Sequence, residues 1–251
     1  MKLNTIYQGD CLDVMPKMID SASIDMILCD LPYGTTNCRW DSPIDLRRLW
    51  AEYERIIKDS GAILLFAQTP FDKVLGSSNL SLLRYEWIWE KSSATGHLNA
   101  KKMPMKAHEN ILVFYKKLPK YNPRKTIGHK RKISTKAHKR NCKESDIYNK
   151  NQTLTSYDST ERYPRSVQQF SSDKQLSNYH STQKPLALIK YFIETYTDEG
   201  DIILDNACGS GTVGIGAEEL NRNYILIEKD VEIYKNACER LHTAKAHYNA
   251  K

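Results

Sequence analysis

The sequence predicts an α/β protein organised on a mostly parallel sheet, and three observations carry that prediction. Short β-like runs alternate with helical patterns along most of the 251 residues. A glycine-spaced turn, Gly209, Gly211 and Gly214, follows one such run and leads into a helical pattern. An acidic residue, Asp30, closes another apolar run and is followed by a proline-stiffened turn.

Seven runs have strand character. They are LNTIY at 3–7, IDMILC at 24–29, AILLFA at 62–67, YEWIWE at 85–90, NILVFY at 110–115, DIILD at 201–205 and NYILIE at 223–228. Helical patterns fill 43–58, 185–197, 212–221 and 231–247. The first is the clearest: Ser42 is placed to cap it and Pro43 suits its first position. Ile44, Leu49, Tyr53, Ile56 and Ile57 approximate one face, and Gly61 follows the stop. In such a sheet, ligands bind outside the carboxyl ends of the strands.

The interval 117–179 breaks this rhythm. It is rich in Lys, Arg, Asn, Ser, Thr and Gln, which fits a small domain, a functional insertion or a partly disordered segment. Tyr121, Tyr148, Tyr157, Tyr163 and Phe170 argue against its being wholly unstructured.

Charge points to a partner. The formal net charge is +7, and from Lys116 to Lys143 there are twelve Lys or Arg and no carboxylate. A block of this kind can be a solvated face, but clustered cations also displace counterions from a phosphate backbone. A polyanion is the better reading. Cys11, Cys29, Cys38, Cys142, Cys208 and Cys238 include no CxxC pair, which argues against a zinc site or disulfide framework. No metal is expected. The N-terminus lacks an apolar core of signal-peptide length, and no apolar run approaches the roughly 18 residues of a membrane span. A cytoplasmic protein with no membrane association is expected.

Two motifs carry chemistry. In DIILDNACGSGTVGIG, Asp201 to Gly216, the glycines allow a tight turn and close approach of a ligand to the backbone. The next run ends at Glu228, where a carboxylate can accept hydrogen bonds from ribose hydroxyls. Nicotinamide dinucleotide and S-adenosylmethionine both fit this spacing. Asp205 favours the second, because a carboxylate beside the glycines suits its cationic groups. The other motif is Asp30-Leu31-Pro32-Tyr33. An exocyclic amine on a nucleobase is a poor nucleophile, its lone pair being delocalised into the ring. Asp30 and the Leu31 carbonyl, accepting its two N–H bonds, would favour tetrahedral geometry and expose that lone pair. Pro32 would stiffen the turn that aims them, and Tyr33 would offer a flat face to a base outside its stack.

On these residues the chain resembles the β-type, circularly permuted amino-methyltransferases of DNA. Asp30-Leu31-Pro32-Tyr33 matches their D-P-P-Y motif, and the segment from Gly34 to Asp41 is similar to that of many bacterial and phage members. HSTQKP, His180 to Pro185, matches the TQKP segment that packs near the methionine moiety of the cofactor. Asp205 to Thr212 matches D-P-F-x-G-S-G-T, and Glu228 matches the ribose-binding acid. GDCLDVM matches a family segment in which Asp10 and the Cys11 backbone border the cofactor's adenine.

The resemblance implies a seven-stranded, Rossmann-like methyltransferase sheet with helices on both faces. Residues 1–116 would form its catalytic half, 117–179 a basic target-recognition insertion and 180–251 its cofactor-binding half. It implies Asp30, Leu31, Pro32 and Tyr33 as catalytic residues. Asp10, Cys11, Thr182, Lys184, Asp205, Ala207, Gly209, Gly211, Thr212 and Glu228 would hold S-adenosylmethionine. On its own, Lys184 reads equally as a DNA contact or a helix cap. Trp40 and Lys91 are expected at the DNA, Trp40 stacking near the target base or packing under its loop. Arg124, Lys125, Lys130, Arg131, Lys132, Lys139 and Arg140 would contact DNA along the basic run. His108 and Glu109 would order the site rather than transfer protons, and Met103 and Met105 read as packing residues in a mobile loop.

Three departures from the family pattern stand out: Leu31 for the first proline, Asn206-Ala207 for Pro-Phe, and the unmatched 117–179 segment. The implied activity is methyl transfer to N6 of a flipped-out adenine in double-stranded DNA by a bacterial or phage-encoded enzyme. N4-cytosine methylation is the nearest rival, although that branch more often has Ser in place of Asp30. A DNA-binding module with a decayed site, an RNA substrate and a nicotinamide enzyme are further alternatives. A homodimer and a monomer fit equally, and a cognate restriction endonuclease would be a natural partner.

Overall fold

The alternating runs of the chain become ten strands and six α-helices among the described residues. In chain order these are β1 (Thr5–Gln8), α1 (Cys11–Met18), β2 (Ile24–Asp30), α2 (Leu46–Ile56), β3 (Ile57–Ala67), α3 (Phe71–Ser78), β4 (Leu83–Thr95) and β5 (Lys106–Phe114). There follow β6 (Lys132–Ser134), β7 (Tyr157–Ser159), β8 (Val167–Phe170), α4 (Leu186–Tyr196), β9 (Ile202–Asp205), α5 (Thr212–Glu219), β10 (Asn223–Glu228) and α6 (Val231–Asn249). The structure, a computed structural model, describes residues 1–34, 42–135, 156–171 and 183–249. They form two compact units, Met1–Asn122 with Ser166–Lys251, and Pro123–Arg165.

The first unit is built on an eight-stranded sheet in the order β1-β10-β9-β2-β3-β5-β4-β8. Strands β1, β10, β9, β2 and β3 run parallel. Strand β5 is antiparallel to both of its neighbours, and β8 lies parallel to β4. The seven-strand expectation is therefore corrected to eight. The additional strand, β8, lies inside the 117–179 interval. It is four residues long, VQQF, and too short and polar to stand out from its surroundings.

Alternation along the strands divides the core between the two faces of the sheet. Ile27, Cys29, Ile63 and Leu65 pack with Met15, Leu49 and Tyr53 of α1 and α2. Met26, Leu28, Leu64 and Phe66 pack with Leu188, Phe192 and Val213 of α4 and α5. Burial on both faces is why β2 and β3 read as nearly unbroken apolar runs.

Local chemistry moves two expected boundaries. Helix α2 begins at Leu46, because the Asp45 side chain accepts from the N–H groups of Arg47 and Arg48 at 2.9 and 3.2 Å. Gly61 is not a stop after this helix but lies within β3, beside a register shift against β2. A Cβ there would sit 2.9 Å from the Asp25 carbonyl oxygen, so only glycine fits without a shift.

The placement of the strands fixes the position of the site. From β9 the chain moves through α5 to β10 on one side, whereas β2 leads through α2 to β3 on the other. The reversal of direction falls between β9 and β2, whose last residues are Asp205 and Asp30. Among the described residues no helix is long and apolar enough to cross a membrane.

In the second unit, β6 and β7 pair antiparallel, and Thr126 bridges Arg162. The Arg131 guanidinium grips both oxygens of Asp158 at 2.7 and 2.5 Å, and Lys125 pairs with Glu161 at 2.9 Å. Tyr157 donates to the Glu161 carbonyl at 2.7 Å.

Candidate active site

The carboxyl ends of β2, β9 and β10 open on one cavity of about 1050 Å³. Asp10, Cys11, Asp205, Ala207, Gly209, Thr212 and Glu228 line one part of it. Asp30, Leu31, Pro32, Tyr33, Phe66, Glu109 and Lys184 line another. The structure thus brings both sequence motifs to a single space.

At the end of β2, Tyr33 Oη donates to Asp30 Oδ1 at 2.7 Å. Its ring stacks on Phe71, at the start of α3, with 5.0 Å between centroids. Burial and the nearby Asp30 and Glu109 carboxylates push the Tyr33 hydroxyl well above its ordinary range, so it remains a donor.

Lys184 lines the cavity, and its ammonium is held by carboxylates. Its ammonium neither caps α4 nor faces solvent, but lies 2.7 Å from Asp30 Oδ2 and 3.0 Å from Glu109 Oε2. Lys91, expected at the DNA, is likewise withdrawn: its ammonium is 2.6 Å from Glu109 Oε1 and over the Trp89 ring. The physical reason is the same for both. A buried ammonium must recover its lost hydration from carboxylates, and β5 supplies Glu109 between the two lysines. Burial works against the charge on Lys184, but Asp30 and Glu109 outweigh it and raise its pKa. Burial likewise pushes Glu109 up, and Lys184 and Lys91 more than reverse that, holding it below the usual carboxylate range.

At the end of β9 the arrangement is different. Asp205 Oδ1 accepts from the Ala207 N–H at 3.2 Å. Burial raises its pKa to about 7 despite donation from the Cys29 thiol and Ala207, and the Asp30 and Glu228 charges add to the rise. Glu228 spans the loop, accepting from Gly209 N–H at 2.9 Å and Asp230 N–H at 2.8 Å. Gly211 does not line the cavity. At φ 76° it caps α5 in the left-handed region, where side chains are strained. At Gly214 a Cβ would meet Leu226 Cδ1 at 2.8 Å, so this third glycine lets α5 lie close on β10. Asp10 caps α1 through Leu12 N–H at 3.0 Å and pairs with Lys229 at 3.0 Å.

Two features of the glycine loop carry no sequence signal of their own. Asn206, one of the departures from the family pattern, accepts from the buried Tyr53 hydroxyl at 2.5 Å, which ties α2 to the turn. Arg240, on α6, donates to the Ser210 carbonyl at 2.8 Å and to the Ser210 and Thr212 hydroxyls at 3.0 Å. Only the packing of α6 brings that guanidinium to the loop.

Met103 and Met105 are exposed, at 53% and 41%, and are not packing residues. In the second unit Arg124, Lys125, Lys130, Arg131 and Lys132 are all exposed, with Lys125 and Arg131 in the ion pairs given above. Trp40, Lys139, Arg140 and Thr182 lie outside the described residues. Among the described residues no group of three or more His, Cys, Asp or Glu is placed to hold a metal ion.

Comparison with known proteins bears on this geometry. The structure resembles that of the M1.HpyAVI–SAM complex, with a TM-score of 0.64 at 22% identity, covering 94% of this chain and 98% of the other. It also resembles the cytosine-N4-specific PvuII DNA methyltransferase, with a TM-score of 0.68 at 15% identity over 98% of this chain and 91% of that one. In sequence it is 28% identical to the type II methyltransferase M2.MboI of Moraxella bovis, over 94% of this chain and 87% of the relative. It is 29% identical to the DNA adenine methyltransferase YhdJ of Escherichia coli K12, over 98% of this chain and 85% of the relative. The DNA methylase family model matches residues 24–239, which span the whole described cavity except Asp10 to Leu12. The chain belongs to the N6/N4 family of DNA methylases.

Proposed function

We propose that the protein transfers a methyl group from S-adenosylmethionine to the N6 amine of an adenine extruded from double-stranded DNA. The observation that carries this reading is the shared cavity, in which Asp30 and Asp205 stand at neighbouring strand ends.

The residues present fit the cofactor. Asp205 is a buried carboxyl whose pKa burial and neighbouring carboxylates raise to about 7, and a cationic ligand would favour its charged form. Glu228 and Asp10 would take the ribose and adenine, with Gly209 allowing close approach of the backbone. Bound there, S-adenosylmethionine supplies an electrophilic methyl group. Thr182 and Lys184 were expected at the cofactor from the family pattern. For Lys184 the contacts with Asp30 and Glu109 favour a role on the acceptor side of the cavity.

Asp30 and the Leu31 carbonyl would accept the two N–H bonds of the target amine. The Tyr33 hydroxyl and Lys184 occupy one lone pair on each Asp30 oxygen and leave others for the amine. Pro32 would fix the turn, and Tyr33, backed by Phe71, would support the base. As the nitrogen gains charge its proton becomes acidic, and no stronger base than Asp30 is needed. An aspartate at position 30 and the adenine-methylating relative YhdJ favour adenine over cytosine.

We further propose that 117–179 reads the target sequence, between a catalytic half at 1–116 and a cofactor-binding half at 180–251. Its exposed cations would hold phosphates, and an exposed ion pair such as Lys125–Glu161 is weak enough to be exchanged for one.

The test is methyl-labelled S-adenosylmethionine with unmethylated mixed-sequence DNA, followed by digestion to nucleosides and mass spectrometry. Label in N6-methyladenine is expected, with Asp30→Ala lowering the rate about a thousandfold or more. Cofactor-induced thermal stabilisation should survive in that variant. Label in N4-methylcytosine would overturn the choice of base, and no label in DNA would overturn the reaction.

A further inference from the structure

The hairpin of β4 and β5 has a tip that the reaction above does not use. Thr95 pairs with Lys106 across the hairpin, and Ser93, Thr95 and Lys106 line the cavity. The ten residues that close the hairpin, GHLNAKKMPM at 96–105, therefore leave and rejoin the sheet at the rim of the cavity. Every residue from Thr95 to His108 is exposed. Leu98 is 87% exposed, the highest value among the exposed large hydrophobic residues described, and Met103 and Met105 accompany it.

Such exposure of apolar side chains beside a ligand cavity is unfavourable in water unless something covers them. The charge pattern says what does. From Lys91 to His108 there is no carboxylate, while Lys101, Lys102 and Lys106 surround the apolar tip. Among the described residues none of these three lysines is held in an ion pair. Leucine and methionine at an apolar tip, ringed by cations, suit a partner with a polyanionic exterior and an apolar interior that opens. A duplex from which a base has been extruded has that chemistry. Its phosphates attract the lysines, and the gap in its stack accepts an apolar wedge.

We propose that the 96–105 tip inserts Leu98, with Met103 or Met105 behind it, into the stack vacated by the target base. Lys101, Lys102 and Lys106 hold the flanking phosphates. This rests on the proposed function for the identity of the extruded base. Gly96, in the left-handed region at φ 91°, and the short 3-10 turn His97–Asn99 set the direction in which Leu98 leaves the hairpin.

The experiment compares duplex plasmid DNA with the same DNA denatured to single strands, where no stack has to be opened. For Leu98→Ala, methyl transfer is expected to fall about tenfold on duplex and by less than about twofold on single strands. Lys101→Ala with Lys102→Ala should weaken binding to both and reduce the salt dependence of affinity. Equal losses on the two substrates for Leu98→Ala, or no loss on either, would overturn the wedge. If wild-type protein labels no DNA, the reaction reading fails. The wedge is then judged by filter binding, where Leu98→Ala must lose affinity for duplex more than for single strands or be rejected.

Discussion

Asp30 and Asp205 close adjacent parallel strands on one rim, but their surroundings differ. Asp30 is partly exposed and held at both oxygens, by the Tyr33 hydroxyl and by the Lys184 ammonium. Asp205 is buried, receives one long backbone N–H bond, and is pushed up to about 7. The first is fixed as a hydrogen-bond acceptor by its two donors. The second is a carboxyl whose charge is incomplete until a cation arrives. One residue type sits in two environments because one strand end meets the Tyr33 hydroxyl and the Lys184 ammonium, while the other is buried beside the Cys29 thiol, the Ala207 backbone and the Asp30 and Glu228 carboxylates.

The hardest way to break this contrast is to remove the cation from the acceptor side. Lys184→Met should lower kcat about a hundredfold while KM for the cofactor changes less than about twofold. It should also lower the melting temperature, because Asp30 loses its ammonium partner and Glu109 is left with Lys91 alone. Adding Glu109→Gln returns the net charge of the cluster to zero but takes from the buried Lys91 its carboxylate partner. The double variant should therefore regain neither its melting temperature in a thermal scan nor its turnover. Recovery of both would make Lys184 a purely structural residue.

Titration sharpens the other side. The folded-state pKa of Asp205 lies above its ordinary 3.8, so the folded protein holds that proton more tightly than the unfolded chain. The stabilisation from Asp205 is accordingly present at low pH and lost as pH rises from about 4 through about 7. Binding of a cationic ligand runs the opposite way, because it favours the carboxylate and expels the proton. The Kd of S-adenosylmethionine, measured by calorimetry, should fall roughly tenfold between about pH 6 and pH 8, with proton release at the acid end. Asp205→Asn should weaken binding and flatten this dependence. A steep profile in that variant would assign the titration to another group.

The smallest expected effect concerns the glycine loop. Arg240→Ala removes three hydrogen bonds to Ser210 and Thr212. It should raise the Kd of the cofactor about three- to tenfold and leave kcat at saturation unchanged, a difference of about 1 kcal/mol. A loss of kcat instead would mean that the loop also positions the acceptor side.

Much of the fold was readable because its signals are local. β2, β3, β9 and β10 are apolar runs, and the turn residues that follow them have special backbone chemistry. Asp30 to Tyr33 and Asp205 to Thr212 therefore stood out on the line of the sequence. Helices α1 and α3 did not: each has eight residues, α1 contains Pro16 and α3 contains Gly76, which blur the helical pattern. Strand β8 was hidden by its length and polarity. The contacts of the two lysines were hidden for a different reason. A lysine in a polar stretch looks solvent-exposed, and nothing near Lys91 or Lys184 in sequence announces that Glu109 will lie between them.

By itself, then, the sequence determined the strand ends and the chemistry placed on them, since backbone and side-chain preferences there depend on immediate neighbours. Only the tertiary structure decided which charges would be buried together. Lys91, Glu109, Lys184 and Asp30 come from β4, β5, the entry to α4 and β2, and their pairing follows from the antiparallel insertion of β5 beside β3. Electrostatics inside a protein depends on distance and burial, and both are properties of the packed chain rather than of its order.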